Sequence, residues 1–267
     1  MNYAFMSFSC PEADLKTALK TAEDLGYSGF EPRVDSGHRH GIELTMDANA
    51  RREVRAVAEE SPVRLCCLAT SVRLAGKSTL KQNMEDARRA IELCSDLGIP
   101  RIRIFGGPVE EDDTYTAAIE RMAEALTRLS DEIAEANVTL CLETHDHWCD
   151  PQHVAAVMGR CGGKHVGVNW DVMHTRLAAH FSEEESVAVL VPYIKHVHIH
   201  GGTYIPKLSF SPIGTGAIDH RAVLRELMRI GYDGYLSGEW IGWDEPDYLR
   251  TEIATMHRYE EELACTK

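Results

Sequence analysis

The sequence predicts a single (β/α)8 barrel, on three observations. Eight short runs of β-branched or other apolar residues alternate with longer amphipathic segments from one end of the chain to the other. Three similar segments, DLGYSGF, DLGIPRI and RIGYDGY, each place a glycine behind a helical stretch and start a strand directly after it. A length of 267 residues is ordinary for one α/β barrel, so we expect one domain over residues 1–267.

The strands are expected in this order: Asn2–Ser7, Ser28–Arg33, Val63–Ala69, Arg101–Phe105, Val138–Glu143, His165–Asp171, Ile194–His200 and Tyr235–Glu239. Amphipathic spacing predicts helices between them, among them Pro11–Leu25, Leu80–Leu97, Tyr115–Ala136 and His220–Ile230. Because strands and helices alternate eight times, a closed parallel barrel is favoured over an open sheet.

Side-chain alternation within the strands predicts a polar barrel interior. Successive residues of a strand point to opposite faces, and helices cover the outer face. Each of four strands has one apolar set, which suits the helix layer, and a second set that carries polar groups. These groups are, in chain order, Arg101 and Arg103, Glu143, Asp171, and His196, His198 and His200. We therefore expect them inside the barrel, with the acids at the carboxyl ends of their strands, where barrel enzymes bind their substrates.

Composition and charge narrow the functional classes. The chain is 44% hydrophobic and 26% charged, which is typical of a soluble globular protein, and its net charge is −14. That charge disfavours a nucleic-acid or anionic-membrane partner, since such contacts usually need a basic face. The amino terminus does not resemble a signal peptide, no apolar run has membrane-spanning length, and the eight cysteines are scattered. We expect a cytoplasmic protein.

Three acids and one histidine are the candidate metal ligands. Glu143, Asp171, His198 and Glu239 fall at or near the ends of the fifth to eighth strands. Three carboxylates gathered without a cation would repel one another, whereas Mn²⁺, Mg²⁺, Co²⁺ or Zn²⁺ suits a mixed carboxylate and imidazole set. The alternative for any one acid is a helix N-cap, and Asp171 does precede a helical stretch. Taken jointly, the four positions predict a divalent metal site.

Several segments resemble a known family. LCLETH, VGVNWDVMHT, IKHVHIHG and GYDGYLSGEW are similar to signatures of the xylose isomerase-like barrels, in particular the sugar-phosphate isomerase/epimerase group. That group includes tagatose-3-epimerase-like enzymes, hydroxypyruvate isomerases and inosose dehydratases. The resemblance covers nearly the whole chain, including LGYSGFEPR and LGIPRIRIFGG on the second and fourth strands.

The resemblance implies roles for individual residues. Glu143, Asp171, His198 and Glu239 match the four metal ligands, manganese being one candidate ion, and Glu143 and Glu239 also match the acid/base pair of the epimerases. His174 matches a histidine beside the substrate. A metal that chelates neighbouring carbonyl and hydroxyl oxygens would acidify the α-proton, and a carboxylate could then remove it. The implied activity is isomerisation or epimerisation of a small sugar or polyol in carbohydrate metabolism, and related barrels often form homo-oligomers.

The chain departs from the family pattern after the seventh strand. Where the family often has His-x-Lys-Asp, this sequence has His198-Ile199-His200-Gly201, and Tyr204 or Lys207 occupies the region of an arginine that epimerases carry. The substrate and the reaction type therefore stay open. A dehydratase of an inosose-like or dehydroshikimate-like compound is the runner-up, because it begins with the same enolisation.

Further residues are weaker candidates for substrate contact. Arg103 and Arg33 could bind an anionic group of the substrate or form salt bridges with Glu31. His145 follows Glu143 closely, while Trp148 and Trp240 flank the ligand segments and could wall a sugar site. We expect Trp170 in the core, His196 as a hydrogen-bonded interior histidine, and the stretch Gly201–Gly216 as a loop over the mouth, placed to act as a lid.

Two other functional classes are alternatives. An endonuclease IV-like repair enzyme would need more ligands on the early strands and a basic track for DNA; Glu31 and His38 are present, but the acidic balance argues against it. A non-catalytic, metal-stabilised sugar-binding protein would use the same site without proton exchange. The sequence contains no GxSxG, P-loop, HExxH or GxGxxG motif that would favour a different chemistry.

Overall fold

The computed structural model describes residues 1–161, 163–242 and 247–265. Eleven strands occur among these residues, labelled β1 to β11 in chain order: Asn2–Met6, Gly29–Glu31, Arg64–Leu65, Leu68–Arg73, Arg101–Phe105, Thr139–Glu143, Val166–Asp171, Ile194–Ile199, Gly201–Thr203, Ser209–Ser211 and Tyr235–Gly238. The α-helices in the same ranges are labelled α1 to α10: Leu15–Leu25, Ala48–Glu59, Leu80–Leu97, Tyr115–Arg128, Ser130–Glu135, Pro151–Cys161, Val172–Leu177, Glu183–Leu190, His220–Arg229 and Tyr248–Ala264.

The main sheet is parallel and curves into a barrel. Its strand order is β3, β2, β1, β11, β8, β7, β6, β5 and β4. β3 and β4 are two parts of the third barrel strand, because β3 pairs with β2 while β4 pairs with β5. A parallel bridge between Arg33 and Ala69 joins the two sides. The predicted (β/α)8 barrel is therefore confirmed.

The third barrel strand is divided where two cysteines follow each other. Cys66 and Cys67 both pack with Ala4 in a small buried cluster, separate from the main core. A regular strand sends successive side chains to opposite faces, so two neighbours cannot both enter one cluster without a local irregularity. The expected continuous strand Val63–Ala69 is therefore observed as two shorter ones.

Local signals in the sequence explain where helices begin and end. Asp14 caps α1 by accepting a hydrogen bond from the backbone N–H of Thr17 at 2.8 Å. Gly26 and Gly98, from two of the recurrent segments, follow α1 and α3 in the left-handed conformation, with φ of 86° and 72°. The expected helix Tyr115–Ala136 is divided at Leu129 into α4 and α5. No described helix is both long and apolar enough to cross a lipid bilayer.

The alternation predicted for the strands is confirmed. The outward set of β6 to β8, including Leu140, Trp170 and Val197, belongs to the main hydrophobic core with the helices. The inward side chains are also buried but lie outside that core, and they meet across the barrel: His196 and His198 of β8 contact Glu31 of β2. The barrel interior thus holds polar and charged groups at its carboxyl end.

Candidate metal centre

Four side chains converge at the carboxyl end of the barrel. Glu143 and Asp171 are the last residues of β6 and β7. His198 lies in β8, and Glu239 directly follows β11. One ligand atom of each residue lies within 4.8 Å of those of the other three. The structure therefore brings together all four residues that the sequence predicted as metal ligands.

His198 stands between acids on both edges of its ring. Its Nδ1 is 2.7 Å from Glu143 Oε1 and 3.0 Å from Glu239 Oε2, yet neither oxygen lies at a hydrogen-bonding angle. On the opposite edge its Nε2 is 3.1 Å from Glu31 Oε1. The other Glu31 oxygen is 2.8 Å from Nε2 of His196, which is the interior, hydrogen-bonded histidine that the sequence predicted.

The charges of this cluster are strongly coupled. Burial alone would raise the pKa of the Glu239 carboxyl, but the His198 imidazole beside it lowers that pKa to about 2. Burial would lower the pKa of His198, but Glu31, Glu143 and Glu239 together raise it well above its usual value. The acids therefore favour a positive charge at the position of His198, and the imidazolium supplies one.

The donor set fits a divalent cation. Glu143 Oε2 and His198 Nδ1 are buried, and neither has a hydrogen-bond partner among the described residues. Buried polar atoms are almost always paired, so two such atoms inside a ring of acids indicate a position where another group binds. Three carboxylates and one imidazole nitrogen suit Mn²⁺, Mg²⁺, Co²⁺ or Zn²⁺.

Asp171 is both a helix cap and a member of the cluster. Its Oδ1 accepts the backbone N–H of His174 at 2.9 Å and caps α7, as the N-cap alternative expected. Its Oδ2 lies 3.0 Å from His200 Nε2 and 3.9 Å from His174 Nε2. Burial would raise the pKa of this carboxyl, but the two imidazoles lower it. Capping therefore does not compete with a ligand role, because it uses the other oxygen.

Arg103 and Asn169 orient Glu143. The Asn169 amide donates to Glu143 Oε1 at 3.1 Å, and Arg103 Nε lies 3.4 Å from Oε2. Arg103 also donates to the Thr70 carbonyl at 2.9 Å, and its side chain is only 1% exposed. The structure thus places Arg103 beneath the cluster, where it contacts a predicted ligand rather than an open surface.

Arg33 bonds elsewhere than in the expected salt bridge. It donates to the carbonyl of Val34 and, at 2.7 Å, to Ser71 Oγ. Among the described residues the Glu31 carboxylate bonds to two histidines, and neither Arg33 nor Arg103 pairs with it. The salt-bridge alternative for the two arginines is therefore wrong.

Histidines line one side of the mouth. The rings of His145 and His174 meet edge to face, with centroids 4.1 Å apart. His145 Nδ1 is 2.8 Å from Asp146 Oδ1. Burial would lower the pKa of His145, but Asp146 and Glu143 raise it to about 9. His145 and His174 thus lie beside the metal cluster, where their predicted substrate contacts remain a prediction.

The two tryptophans proposed as walls are buried. Trp148 is 0% exposed, and its Nε1 donates to the Gly107 carbonyl at 2.7 Å. Trp240 is 1% exposed and packs edge to face on Tyr248, with centroids 5.5 Å apart. Both rings support the loops around the mouth in this structure, and their contact with a substrate stays a prediction. Trp170 is in the core, as expected.

A hairpin covers part of the mouth. The stretch predicted as a loop contains β9 and β10, which pair in antiparallel fashion. The Tyr204 hydroxyl hydrogen-bonds to His174 Nδ1, and Phe210 packs on His200 with centroids 5.4 Å apart. The hairpin thereby meets two of the histidines that contact Asp171, and its action as a lid stays a prediction.

Sequence reasoning missed three contributors to this site. The sequence places His200 inside the barrel but gives it no role in the site. It suggests Glu31 only as a partner of arginines or as an extra ligand of a repair enzyme, and Tyr204 only as a departure from a family pattern. The alternation of β8 was a usable signal for His200, because it puts this residue on the same face as His198. No signal in the sequence indicated that Glu31 reaches across the barrel.

The comparisons with known proteins agree with this fold. A family model described as "Xylose isomerase-like TIM barrel" matches residues 19–259. A curated relative, the 3'-dehydrocarminate deglycosidase alpha subunit of Microbacterium sp., is 35% identical over 105 residues. That match covers 37% of this chain and only 27% of the relative, so the chain spans about a quarter of the length of the protein that it matches.

Solved structures match over almost the whole length. The 3-keto-D-glucoside 4-epimerase YcjR from E. coli has a TM-score of 0.79 at 16% identity, covering 97% of this chain and 99% of that one. The probable 3-DHS dehydratase AsbF from Bacillus anthracis has a TM-score of 0.78 at 16% identity, covering 96% of this chain and 99% of that one. The IOLI protein with a bound zinc atom has a TM-score of 0.77 at 18% identity, covering 98% of this chain and 97% of that one. At these identities the likeness shows the fold alone.

Proposed function

Because this chain belongs to the xylose isomerase-like TIM barrel family, we propose that it is a metal-dependent isomerase or epimerase of a keto sugar or related polyhydroxy carbonyl compound. The single observation that carries the proposal is the convergence of the four predicted ligand residues within 4.8 Å at the barrel mouth. They are Glu143, Asp171, His198 and Glu239. A divalent cation bound there would polarise the substrate carbonyl and stabilise the enediolate that proton removal produces.

Glu143 and Glu239 are the proposed acid/base pair. They reach the same nitrogen of His198 from the ends of two different barrel strands, β6 and β11, and the resemblance to epimerases implies that they act on opposite faces of one carbon. Asn169 and Arg103 hold Glu143, whereas the Glu239 side chain is 12% exposed. Glu143 is therefore the fixed partner, and Glu239 has the freedom to exchange its proton.

The mouth offers hydrogen-bond donors for hydroxyl groups. His145 and His174 lie beside the acids, and Tyr204 reaches His174 from the hairpin. We propose that these imidazoles orient the substrate hydroxyls while the hairpin excludes water from the reacting carbon. Arg103, Trp148 and Trp240 would act indirectly, because each is buried in this structure.

Proton exchange tests this proposal directly. The protein, loaded in turn with Mn²⁺, Mg²⁺, Co²⁺ or Zn²⁺, is incubated in D2O with a panel of ketoses, keto-glycosides and inososes. The expected result is deuterium at the carbon next to the carbonyl for at least one compound. Metal-loaded protein that binds sugars without any exchange would support a non-catalytic binding protein and contradict an isomerase.

The second candidate is a lyase at the same site, and Tyr204 is the observation that favours it. An elimination starts with removal of the same α-proton; the electron pair of that C–H bond then forms a C=C bond and the β-substituent leaves with its own electron pair. The departing oxygen needs a proton, and the Tyr204 hydroxyl lies on the ring of His174, whose other nitrogen is 3.9 Å from Asp171 Oδ2. Two similar proteins carry the names of a dehydratase and a deglycosidase. Mass spectrometry separates the candidates, because an isomer keeps the substrate mass and an elimination product does not.

A further inference from the structure

Glu31 closes the barrel interior from the side opposite the predicted ligands. It ends β2, whereas His196 and His198 are two residues apart on β8, and the sheet order puts β1 and β11 between these strands. The Glu31 side chain is 0% exposed. Oε2 lies 2.8 Å from His196 Nε2, and Oε1 lies 3.1 Å from His198 Nε2. One carboxylate therefore contacts both imidazoles.

Hydrogen-bond chemistry determines which nitrogen of each ring carries a hydrogen. An ionised carboxylate can only accept, so each Nε2 must carry a hydrogen in order to bond to Glu31. In the imidazolium, Nδ1 carries the second hydrogen, which a bound cation would displace; with the remaining hydrogen on Nε2, the ring then has its lone pair on Nδ1. That nitrogen is the one beside Glu143 and Glu239, and it has no hydrogen-bond partner among the described residues.

His196 gives the carboxylate a fixed orientation. With His198 as its only partner, Glu31 could rotate and still keep one hydrogen bond. Because Oε2 also contacts His196 and Oε1 faces His198, both oxygens are engaged and the plane of the carboxylate is set. His196 does not belong to the group of four predicted ligands. It forms a second group with Glu31 and His198, and His198 is the residue that the two groups share.

We propose that Glu31 is the positioning residue of the metal centre: with His196 it holds His198 in the tautomer that presents Nδ1 to the cation. This inference rests on the proposed metal site and adds to it a residue from the opposite side of the barrel. A histidine ligand that donates its other N–H to a carboxylate binds metal more tightly, and loss of such a partner typically costs 10–100-fold in affinity.

The decisive variant is Glu31→Gln. The amide keeps the size of the side chain but offers one oxygen and one NH2 group to two ring nitrogens, so one histidine must accept instead of donate. The tautomer of His198 is then no longer fixed. We expect the affinity for Zn²⁺ and Co²⁺, measured by calorimetry or chelator competition, to fall about 10–100-fold. Glu31→Asp keeps the carboxylate and should retain more affinity than Glu31→Gln.

The matched control is Glu183→Gln. Glu183 is also a buried acid that accepts a backbone N–H, from Asp219 at 3.2 Å, but it lies on α8 outside the metal cluster. It should leave metal affinity unchanged. Equal affinity of Glu31→Gln and wild type would overturn the inference and leave the metal site intact, whereas a wild type that binds none of the four metals would overturn the proposed function itself.

A measurement on the wild type makes the test independent of variant folding. Two-bond ¹H–¹⁵N correlation spectra of histidine-labelled, zinc-loaded protein report which ring nitrogen carries hydrogen and which binds metal. We expect His198 to have hydrogen on Nε2 and zinc on Nδ1, and His196 to have hydrogen on Nε2. Zinc bound at His198 Nε2 would overturn the inference whatever the variants do.

Discussion

Buried acids in this barrel fall into two environments that differ in what faces them. At the mouth, Glu31 and Glu239 meet imidazoles, and although burial opposes it, these partners lower the pKa of both carboxyls. On α10, Glu252 is only 2% exposed and accepts the backbone N–H of Ile213 at 2.7 Å. Burial there raises the pKa of Glu252 to about 7.

The difference shows what keeps a buried acid ionised. A single backbone N–H does not offset the loss of hydration around Glu252, so burial tends to neutralise this acid. The mouth keeps its negative charges because the His198 imidazolium lies beside both carboxyls. A site of this kind is prepared for a cation, whereas Glu252 is a structural acid that anchors the segment after the hairpin. The following predictions test that distinction, from the largest expected effect to the smallest.

Replacing a mouth acid should remove activity. We expect Glu143→Gln or Glu239→Gln to lower the rate of solvent deuterium exchange by about 10²–10⁴-fold, because a general base and a metal ligand are lost together. The control is Glu59→Gln on α2, an exposed acid, which should exchange at the wild-type rate. If both mouth variants exchanged at that rate, the acid/base assignment would be wrong.

Metal removal should lower thermal stability through the same acids. A ligand at about 100 times its Kd stabilises the folded state by about 2.7 kcal/mol, which for a chain of this size is about 5–10 °C in Tm. We expect this increase when Mn²⁺, Co²⁺ or Zn²⁺ is added to chelator-treated protein, measured by differential scanning fluorimetry. The increase should vanish in a Glu143→Gln, Glu239→Gln double variant; an equal increase there would place the cation elsewhere.

Much of this arrangement could be predicted from the sequence. Alternation within a strand and position at its end are local properties, and they identified Glu143, Asp171 and His198 as neighbours although 28 or 27 residues separate them along the chain. Periodicity also gave the outward apolar set that packs under the helices. These features depend on regular geometry, which the order of apolar and polar residues along the chain predicts directly.

The rest depends on which distant side chains meet. Glu31 and Arg33 share a face by alternation, so a salt bridge between them was a reasonable expectation. In the barrel interior, however, two histidines of β8 bond to the Glu31 carboxylate instead. Trp148 was expected at the mouth, yet it packs so closely on Gly106 that an added Cβ would lie 2.2 Å from its ring. Such contacts follow from the packing of loops and from the width of the barrel, and the periodicity of the sequence does not predict them.

The acid on α10 should make stability depend on pH. An acid whose pKa is raised on folding holds its proton more tightly in the folded state, so stability falls as pH rises from its ordinary pKa of 4.5 to about 7. Glu252→Gln does not titrate and keeps an oxygen for the Ile213 N–H. We expect it to gain about 1–3 kcal/mol over wild type between pH 5 and pH 8.

Urea unfolding at the two pH values measures this difference. The control is Glu261→Gln on the exposed side of the same helix, which should follow the wild type at both values. A Glu252→Gln advantage of the same size at pH 5 and pH 8 would mean that Glu252 keeps its ordinary pKa in the folded protein. The contrast between the two environments would then be lost.

Tyr204→Phe should give the smallest effect and the finest distinction. The variant removes one hydrogen bond to His174, worth about 0.5–1.5 kcal/mol. We therefore expect kcat/KM for proton exchange to fall by no more than about tenfold, and Tm to fall by no more than about 6 °C. If the enzyme instead catalyses an elimination and Tyr204 protonates the departing oxygen, product formation should fall by about 10²–10⁴-fold while exchange of the α-proton continues. Assays of both quantities on one preparation therefore compare the two proposed reactions within a single variant. Equal losses in exchange and elimination would show that Tyr204 positions His174 for the first step and transfers no proton in the second.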